Sequence, residues 1–369
     1  MEITKALCRI VPLAAGACLL ILVIGTAPAY LSLIDLTKGK EIYGDACAAC
    51  HGDDGRGKVA DLATEVPPPD LTSCDFNTSE ADRDWMRVVS GGGVAAGRSE
   101  SMPSFRDSLT EEDIKNVVVY LRTFCTEDWP RGELNFSRPL VTEKAYPENE
   151  ALLTWNTGRT PSREHQTKLA AIIEKRVGAR GQVELKIPVS LRDPDKRGTL
   201  GGIGDLEVSG KYVLYHDLKR LFIASAGAEL KLPTGSLRRA LGEGTTILAP
   251  FLAAGKGWGD FVVQSSLQFE YPFVEQRAPK TALYNLAFSY PVVNRGEGTE
   301  GQLFLEFNGK SEWGKRDAKH FQLYLTPGFR QSLTASGNWA AAIGAQLPVS
   351  PVHEAQYRVL GYILFELPP

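Results

Sequence analysis

The chain has 369 residues, a formal net charge of −3 and 43% hydrophobic residues. This length suggests two domains, because one core rarely grows past about 250–300 residues. The near-balanced charge gives no basic signature for nucleic acid, and the composition excludes a disordered chain. Only Ile10 to Ile34 is free of charge for long enough to cross a bilayer as a helix, which excludes a multi-helix membrane protein. A barrel stays open, because its strands are amphipathic and do not register as hydropathy. Lys5 and Arg9 precede an apolar run, Ile10 to Gly25, that leads to Ala27-Pro28-Ala29. Residues 1–29 read as a secretory signal peptide cleaved after Ala29, with an uncleaved anchor helix as the rival reading. Cys8 and Cys18 would leave with the signal. Cys47, Cys50, Cys74 and Cys125 would remain, an even number suited to an oxidising compartment.

Thr37 to Ala46 is a candidate helix, and it leads into Cys47-Ala48-Ala49-Cys50-His51. C-x-x-C-H is the attachment pattern of c-type haem. Two thiols three residues apart on a helical turn bond the two porphyrin vinyl groups, and the adjacent histidine faces the iron. A structural zinc site needs about four ligands, and no second Cys/His pair follows. A thioredoxin-like pair would sit in a βαβ pattern, which is missing here. Farther on, Thr78 or Ser79 can cap a helix running through Ser90 and stopped by Gly91-Gly92-Gly93. Thr110-Glu111-Glu112-Asp113 is a capping-box pattern. It opens a helix with Ile114, Val117, Val118, Leu121 and Phe124 at helical spacing. The sixth iron ligand follows by elimination, since His165, His216, His320 and His353 all lie in the later, strand-rich half. Met86 and Met102 are left. Met86 sits in a helix beside Trp85, whereas Met102 sits in a loop stiffened by Pro103. Met102 is preferred, and His/Met ligation raises the reduction potential.

No cysteine or methionine occurs after Cys125. Residues 126–150 hold Pro130, Pro139 and Pro147 with scattered charge and read as an extended linker. Beyond it the period changes to two. Val183, Leu185, Ile187 and Val189 oppose Glu184 and Lys186, and Phe261 to Tyr271, Asp205 to Leu214 and Phe222 to Leu232 repeat the alternation. About twelve such segments occupy 151–369, with short turns alternating with long loops, the pattern of an antiparallel up-and-down β-barrel. An even strand count puts both barrel ends on the short-turn side, periplasmic in outer-membrane barrels. Trp155, Trp258, Trp313, Trp339, Tyr271 and Tyr290 are candidate interfacial girdles. Glu184, Lys186, Glu207, Lys211, Glu229, Lys231, Glu270 and Glu306 would line the lumen, as a wet surface or as packed ion pairs.

Residues 35–125 resemble a class I (mono-haem) cytochrome c domain. The resemblance rests on Gly39-Lys40 and Tyr43 before the haem motif, His51 to Gly57 after it, Pro67-Pro68-Pro69-Asp70-Leu71, Met102-Pro103 with Phe105, and Tyr120-Leu121-Arg122. It implies an all-α haem fold over 30–125, one covalent haem c, electron transfer, and a proline carbonyl among Pro67 to Pro69 that receives the His51 ring N–H. Cys74 and Cys125, outside the simplest family pattern, are a candidate disulfide. The second half resembles the outer-membrane barrels grouped with the transporter of the phenol meta-cleavage pathway, through Gly201 to Leu206, Lys211-Tyr212 and Leu230 to Gly235. A globule of about 90 residues is about 30 Å across, too wide for a twelve-strand lumen. The haem domain is therefore expected at the periplasmic mouth, tethered by the linker. The expected function is electron exchange with periplasmic redox partners by a His51/Met102 haem held on Cys47 and Cys50, anchored in outer-membrane lipid. The alternative is a porin or transporter for a small solute, with the haem as partner or sensor. A haem enzyme of the peroxidase kind is disfavoured, because Met102 closes the iron and the domain offers no distal histidine.

Overall fold

The structure, a computed structural model, describes residues 34–64, 66–95, 97, 99–193, 200–294, 300–314, 321–334 and 336–367. The expected signal peptide with Cys8 and Cys18 lies outside them, as does His320.

Among the described residues, the segment before residue 150 is helical and holds no strand. Helix α1 (Leu36–Ile42) is capped by the Asp35 carboxylate, which accepts from Thr37 N at 2.9 Å and Lys38 N at 3.0 Å. It runs through a π turn (Tyr43–Cys47) into α2 (Ala48–His51), stopped by Gly52 at φ 76°. Helices α3 (Cys74–Ser79), α4 (Asp82–Ala95) and α5 (Glu111–Arg122) follow. The expected helix start at Thr78 or Ser79 is displaced. Those residues end α3, and the extended backbone at Glu80 separates it from α4. At the other end Gly92, at φ 73°, breaks helical geometry within α4. The capping box at Thr110 is formed as the pattern predicts, with Asp113 as its reciprocal partner. Ile114, Val117, Val118 and Leu121 of α5 are buried against Ile42, Tyr43, Leu71 and Val89, so the 3.6-residue spacing becomes the core face. Gly39 permits the crossing of α1 and α5, since a Cβ there would overlap the Asn116 carbonyl. Asn77, fully buried, donates to the carbonyls of Leu71 (2.8 Å) and Leu121 (2.9 Å), tying α3 to the end of α5.

The second half is one antiparallel sheet closed on itself. Its strands are β1 (Glu150–Arg159), β2 (His165–Val177), β3 (Gly181–Asp193), β4 (Leu200–Ile203), β5 (Leu206–Asp217), β6 (Phe222–Leu232), β7 (Ile247–Trp258), β8 (Phe261–Pro272), β9 (Lys280–Asn294), β10 (Glu300–Trp313), β11 (Gln322–Ser332), β12 (Trp339–Pro348) and β13 (Tyr357–Glu366). β4 and β5 both pair with β3 and form one stave interrupted at Gly204-Asp205, so the wall has twelve staves. Pairing of β1 with β13, from Glu150↔Glu366 to Arg159↔Tyr357, closes the barrel and leaves no open edge. Alternation sorts the faces. Val183, Leu185, Ile187, Leu303, Leu305 and Phe307 are exposed on the outside, whereas Gln182, Lys211, Gln264, Glu306 and Asn308 are buried within. The turns at 178–180, 218–221 and 259–260 are short, and the loops at 233–246, 273–279 and 349–356 are long and lie at the opposite end. Trp258, Tyr290 and Trp339 lie toward the short-turn end, and Tyr271 and Trp313 at the long-loop end. Trp155 departs from the expected girdle. It sits in mid-strand over Gly361, where a Cβ would overlap its ring.

The helical domain rests on the short-turn end. Arg83 pairs with Glu300 at 3.1 Å, and Gly97 packs on Ser336 in the turn after β11. The segment expected to be a free linker is instead packed into the barrel. Leu134, Phe136, Ala145 and Tyr146 are buried against Val213, Ile223 and Ala253 of the wall. Gly255 and Gly257 make room for Phe136, and Gly328 and Gly344 for Leu140. A chain crossing a lumen must satisfy its own amides, and the wall supplies acceptors and donors. The Glu306 carboxylate accepts from the backbone N–H of Leu140 (2.6 Å), Val141 (3.2 Å) and Thr142 (2.9 Å), and from the Thr142 hydroxyl (2.7 Å). Gln264 donates to the Ser137 carbonyl, Tyr362 to Arg138, Lys211 to Lys144 and Ser225 to Ala145. Arg138 pairs with Glu150 and Glu174. Other lumen charges are packed as ion pairs, Lys186 with Glu207 at 2.5 Å and Lys231 with Glu270 at 2.6 Å.

Glu306→Ala leaves three neighbouring amides buried without an acceptor. We expect a loss of roughly 3 kcal/mol or more in barrel stability, read by denaturant unfolding in a lipid or detergent host. An unchanged midpoint would show that the strap contributes nothing to the fold.

Candidate cofactor site

The π turn and α2 place Cys47, Cys50 and His51 on successive turns along one wall of a cavity of about 800 Å³. Cys47 and Cys50 are free thiols. Burial, reinforced by Cys50, pushes the Cys47 thiol up to about 11, so it is protonated at neutral pH. Burial also holds His51 below the usual histidine range, so the ring is neutral and carries a lone pair for a metal. Pro67, Pro68, Pro69, Leu71, Trp85 and Phe105 line the space, which is apolar around the sulfurs. Tyr43, whose hydroxyl donates to the Gly52 carbonyl at 2.6 Å, fixes the turn after the histidine.

Met102 lines the same cavity. Its loop is seated by the break at Gly92. A Cβ on Gly92 would meet the Met102 carbonyl oxygen at 2.8 Å, and Gly93 N donates to that carbonyl at 3.0 Å. The glycine run that ends regular helix therefore also makes room for the methionine loop. Met86 packs against the core cluster and is not among the described residues lining the cavity. The expected bond from the His51 ring to a proline carbonyl is not formed. His51 Nδ1 is buried without a partner, and the Pro68 carbonyl is turned to Gly57, whose φ of 67° and missing side chain admit it. Cys74, at the start of α3, and Cys125, just beyond α5, are joined by a disulfide with Cα atoms 5.0 Å apart.

These residues fit a c-type haem. Two reduced thiols one turn apart, a neutral imidazole beside them and a thioether lining the same cavity are the donor set such a group needs. The cavity also runs beyond the helical domain. Arg138 of the strap, Arg330 and Ser332 of β11, and Leu364 and Phe365 of β13 line the same space. Sequence reasoning missed this extension and the buried Asn77. No local pattern marks either one, because their partners lie far away in the chain.

Residues 35–121 match the family model described as cytochrome c oxidase, cbb3-type, subunit III. Among curated proteins, the chain is 36% identical over 99 residues to a thiosulfate dehydrogenase of Stutzerimonas stutzeri, 26% of this chain and 30% of that protein. It is 35% identical over 88 residues to a cbb3-type cytochrome c oxidase subunit of Cereibacter sphaeroides, 23% of this chain and 26% of that one. The chain thus spans under a third of the length of these relatives, and the family match lies within the helical domain. Among solved structures, an outer membrane channel from Pseudomonas putida F1 is similar at a TM-score of 0.46 and 16% identity, over 63% of this chain and 100% of that one. The NanC porin is similar at 0.41 and 10%, over 60% and 99%.

The disulfide closes a loop of 51 residues. Chain entropy assigns such a closure about 4 kcal/mol. The double variant Cys74→Ala/Cys125→Ala should lower the unfolding free energy of the helical domain by that order in denaturant titration. Native protein that titrates with two accessible thiols at these positions would refute the pairing.

Proposed function

We propose that this protein is an electron carrier. One haem c, bound through Cys47 and Cys50 with His51 and Met102 as axial ligands, exchanges electrons with periplasmic redox partners at the mouth of an outer-membrane barrel. The observation that carries this reading is the shared cavity: free Cys47 and Cys50, neutral His51 and Met102 face one space. When bound, the haem supplies a one-electron couple, and His/Met ligation sets it high. The chain's own residues do the rest. The π turn carries His51, the Gly92 break seats the Met102 loop, and Leu71, Trp85 and Phe105 would give the haem apolar contacts. Met102 would hold the sixth position of the haem iron against any substrate's approach, which favours carriage over catalysis.

The barrel supports the membrane part of the reading. Its outer face is apolar along the strands, its inner face is polar, and no edge is open. Export through a signal peptide would deliver such a barrel to the outer membrane, with its short turns and the haem domain in the periplasm. A single redox centre at that mouth does not carry electrons across an apolar band of about 25 Å, so donor and acceptor meet the domain on one side. A solute-conducting role has less support, because the lumen holds the chain's own strap.

Membrane fractionation with haem staining tests the whole reading. The stain should follow a band of mature mass in the outer-membrane fraction. Full-length haem protein in the soluble periplasm would end the barrel anchor. Cys47→Ala/Cys50→Ala should abolish the stain on denaturing gels. Met102→Ala should remove the methionine-to-iron absorption band and lower the midpoint potential, and an unchanged spectrum would reassign the sixth ligand.

A further inference from the structure

Two half-buried arginines border the cofactor cavity, each with a buried Nε that has no partner. Arg87 of α4 lines it, pairs through Nη1 with Asp84 at 3.3 Å and keeps a buried Nε without a partner. Arg330 of β11 lines it from the barrel side. Its Nη1 reaches the Ser332 hydroxyl at 3.5 Å, its side chain also hydrogen-bonds the Tyr362 hydroxyl, and its Nε is buried without a partner. Leaving a buried charged donor unsatisfied is costly, and both side chains border one space. Four of the carboxylates that line the cavity are already engaged, Asp84 and Glu300 by Arg83, Glu148 by Lys144 and Glu150 by Arg138, and Glu80 and Glu366 border it as well. The two walls are also clamped together, by Arg83 on Glu300 and by Gly97 against Ser336, five residues before Met102.

We propose that the haem crevice is composite: the barrel mouth forms part of its wall, and Arg87 and Arg330 receive the two carboxylates of the haem, one from each domain. The inference rests on the haem reading above. A c-type haem carries two propionates, and a planar guanidinium is the side chain best matched to a carboxylate. The barrel is then more than an anchor. It holds a positive charge against the cofactor, which disfavours the ferric form and raises the potential of the docked domain.

The test uses the full-length, haem-loaded protein in membranes. Resonance Raman spectra report the haem carboxylate bending band, which follows hydrogen bonding to the propionates, and a redox titration reports the midpoint potential. Arg87→Gln and Arg330→Gln should each shift the bending band and lower the potential. Arg358→Gln, at the long-loop end of the lumen, should change neither. A band unmoved in Arg330→Gln with haem in place overturns the proposal, including the case in which the potential alone falls, which would indicate a distant field. If Arg330→Gln does not assemble, Arg330→Lys retains the charge and shortens the reach, and the same band decides. Wild-type protein that carries no covalent haem would instead overturn the functional reading itself.

Discussion

A carboxylate in the middle of a barrel wall, Glu306, holds three successive amides of a strap that crosses the lumen. A closed twelve-stave barrel encloses more polar wall than its own side chains pair off, and a strap entering it brings backbone groups that need partners. Each requirement meets the other. Glu306, Gln264, Lys211, Ser225 and Tyr362 find backbone partners, and the strap's amides and carbonyls leave water without being orphaned. Leu140 and Phe136 then fill spaces made by glycines in the wall.

Because the strap begins where the helical domain ends, the same contacts fix that domain's place. Tyr146, buried in the strap, accepts from Arg176 of the wall and donates toward the carbonyls of Thr78 and Pro130. Arg122 of α5 and Arg131 of the strap share Asp82 of α4. The cytochrome domain is thus docked on the barrel mouth rather than tethered near it. In the proposed reading, a docked haem presents one constant face to its partners. Its cavity also borders groups that no isolated cytochrome domain carries.

The local parts of the site were legible in the chain. Cys47, Cys50 and His51 announce their chemistry by spacing alone, because covalent attachment requires thiols one helical turn apart. Thr110 to Asp113 announces a helix start for a similar reason, since a capping box closes within three residues. The strands were legible through their period, because a lipid-facing side and a lumen-facing side must alternate residue by residue. The strap was not. Pro130, Pro139 and Pro147 suggest a solvated linker, and the contrary sign, Leu134, Phe136, Leu140 and Tyr146 within a supposed tether, has no period to give it weight.

By itself, the sequence determined a helical domain with the attachment motif and an antiparallel barrel, since each is written in contacts between residues a few positions apart. The tertiary structure alone decided that the strap lies inside the lumen and that Arg330 borders the cavity from 243 residues beyond Arg87 (330 − 87). Those outcomes depend on which distant surfaces are left with unpaired polar groups and unfilled volume once the barrel closes, and local spacing carries no information about that.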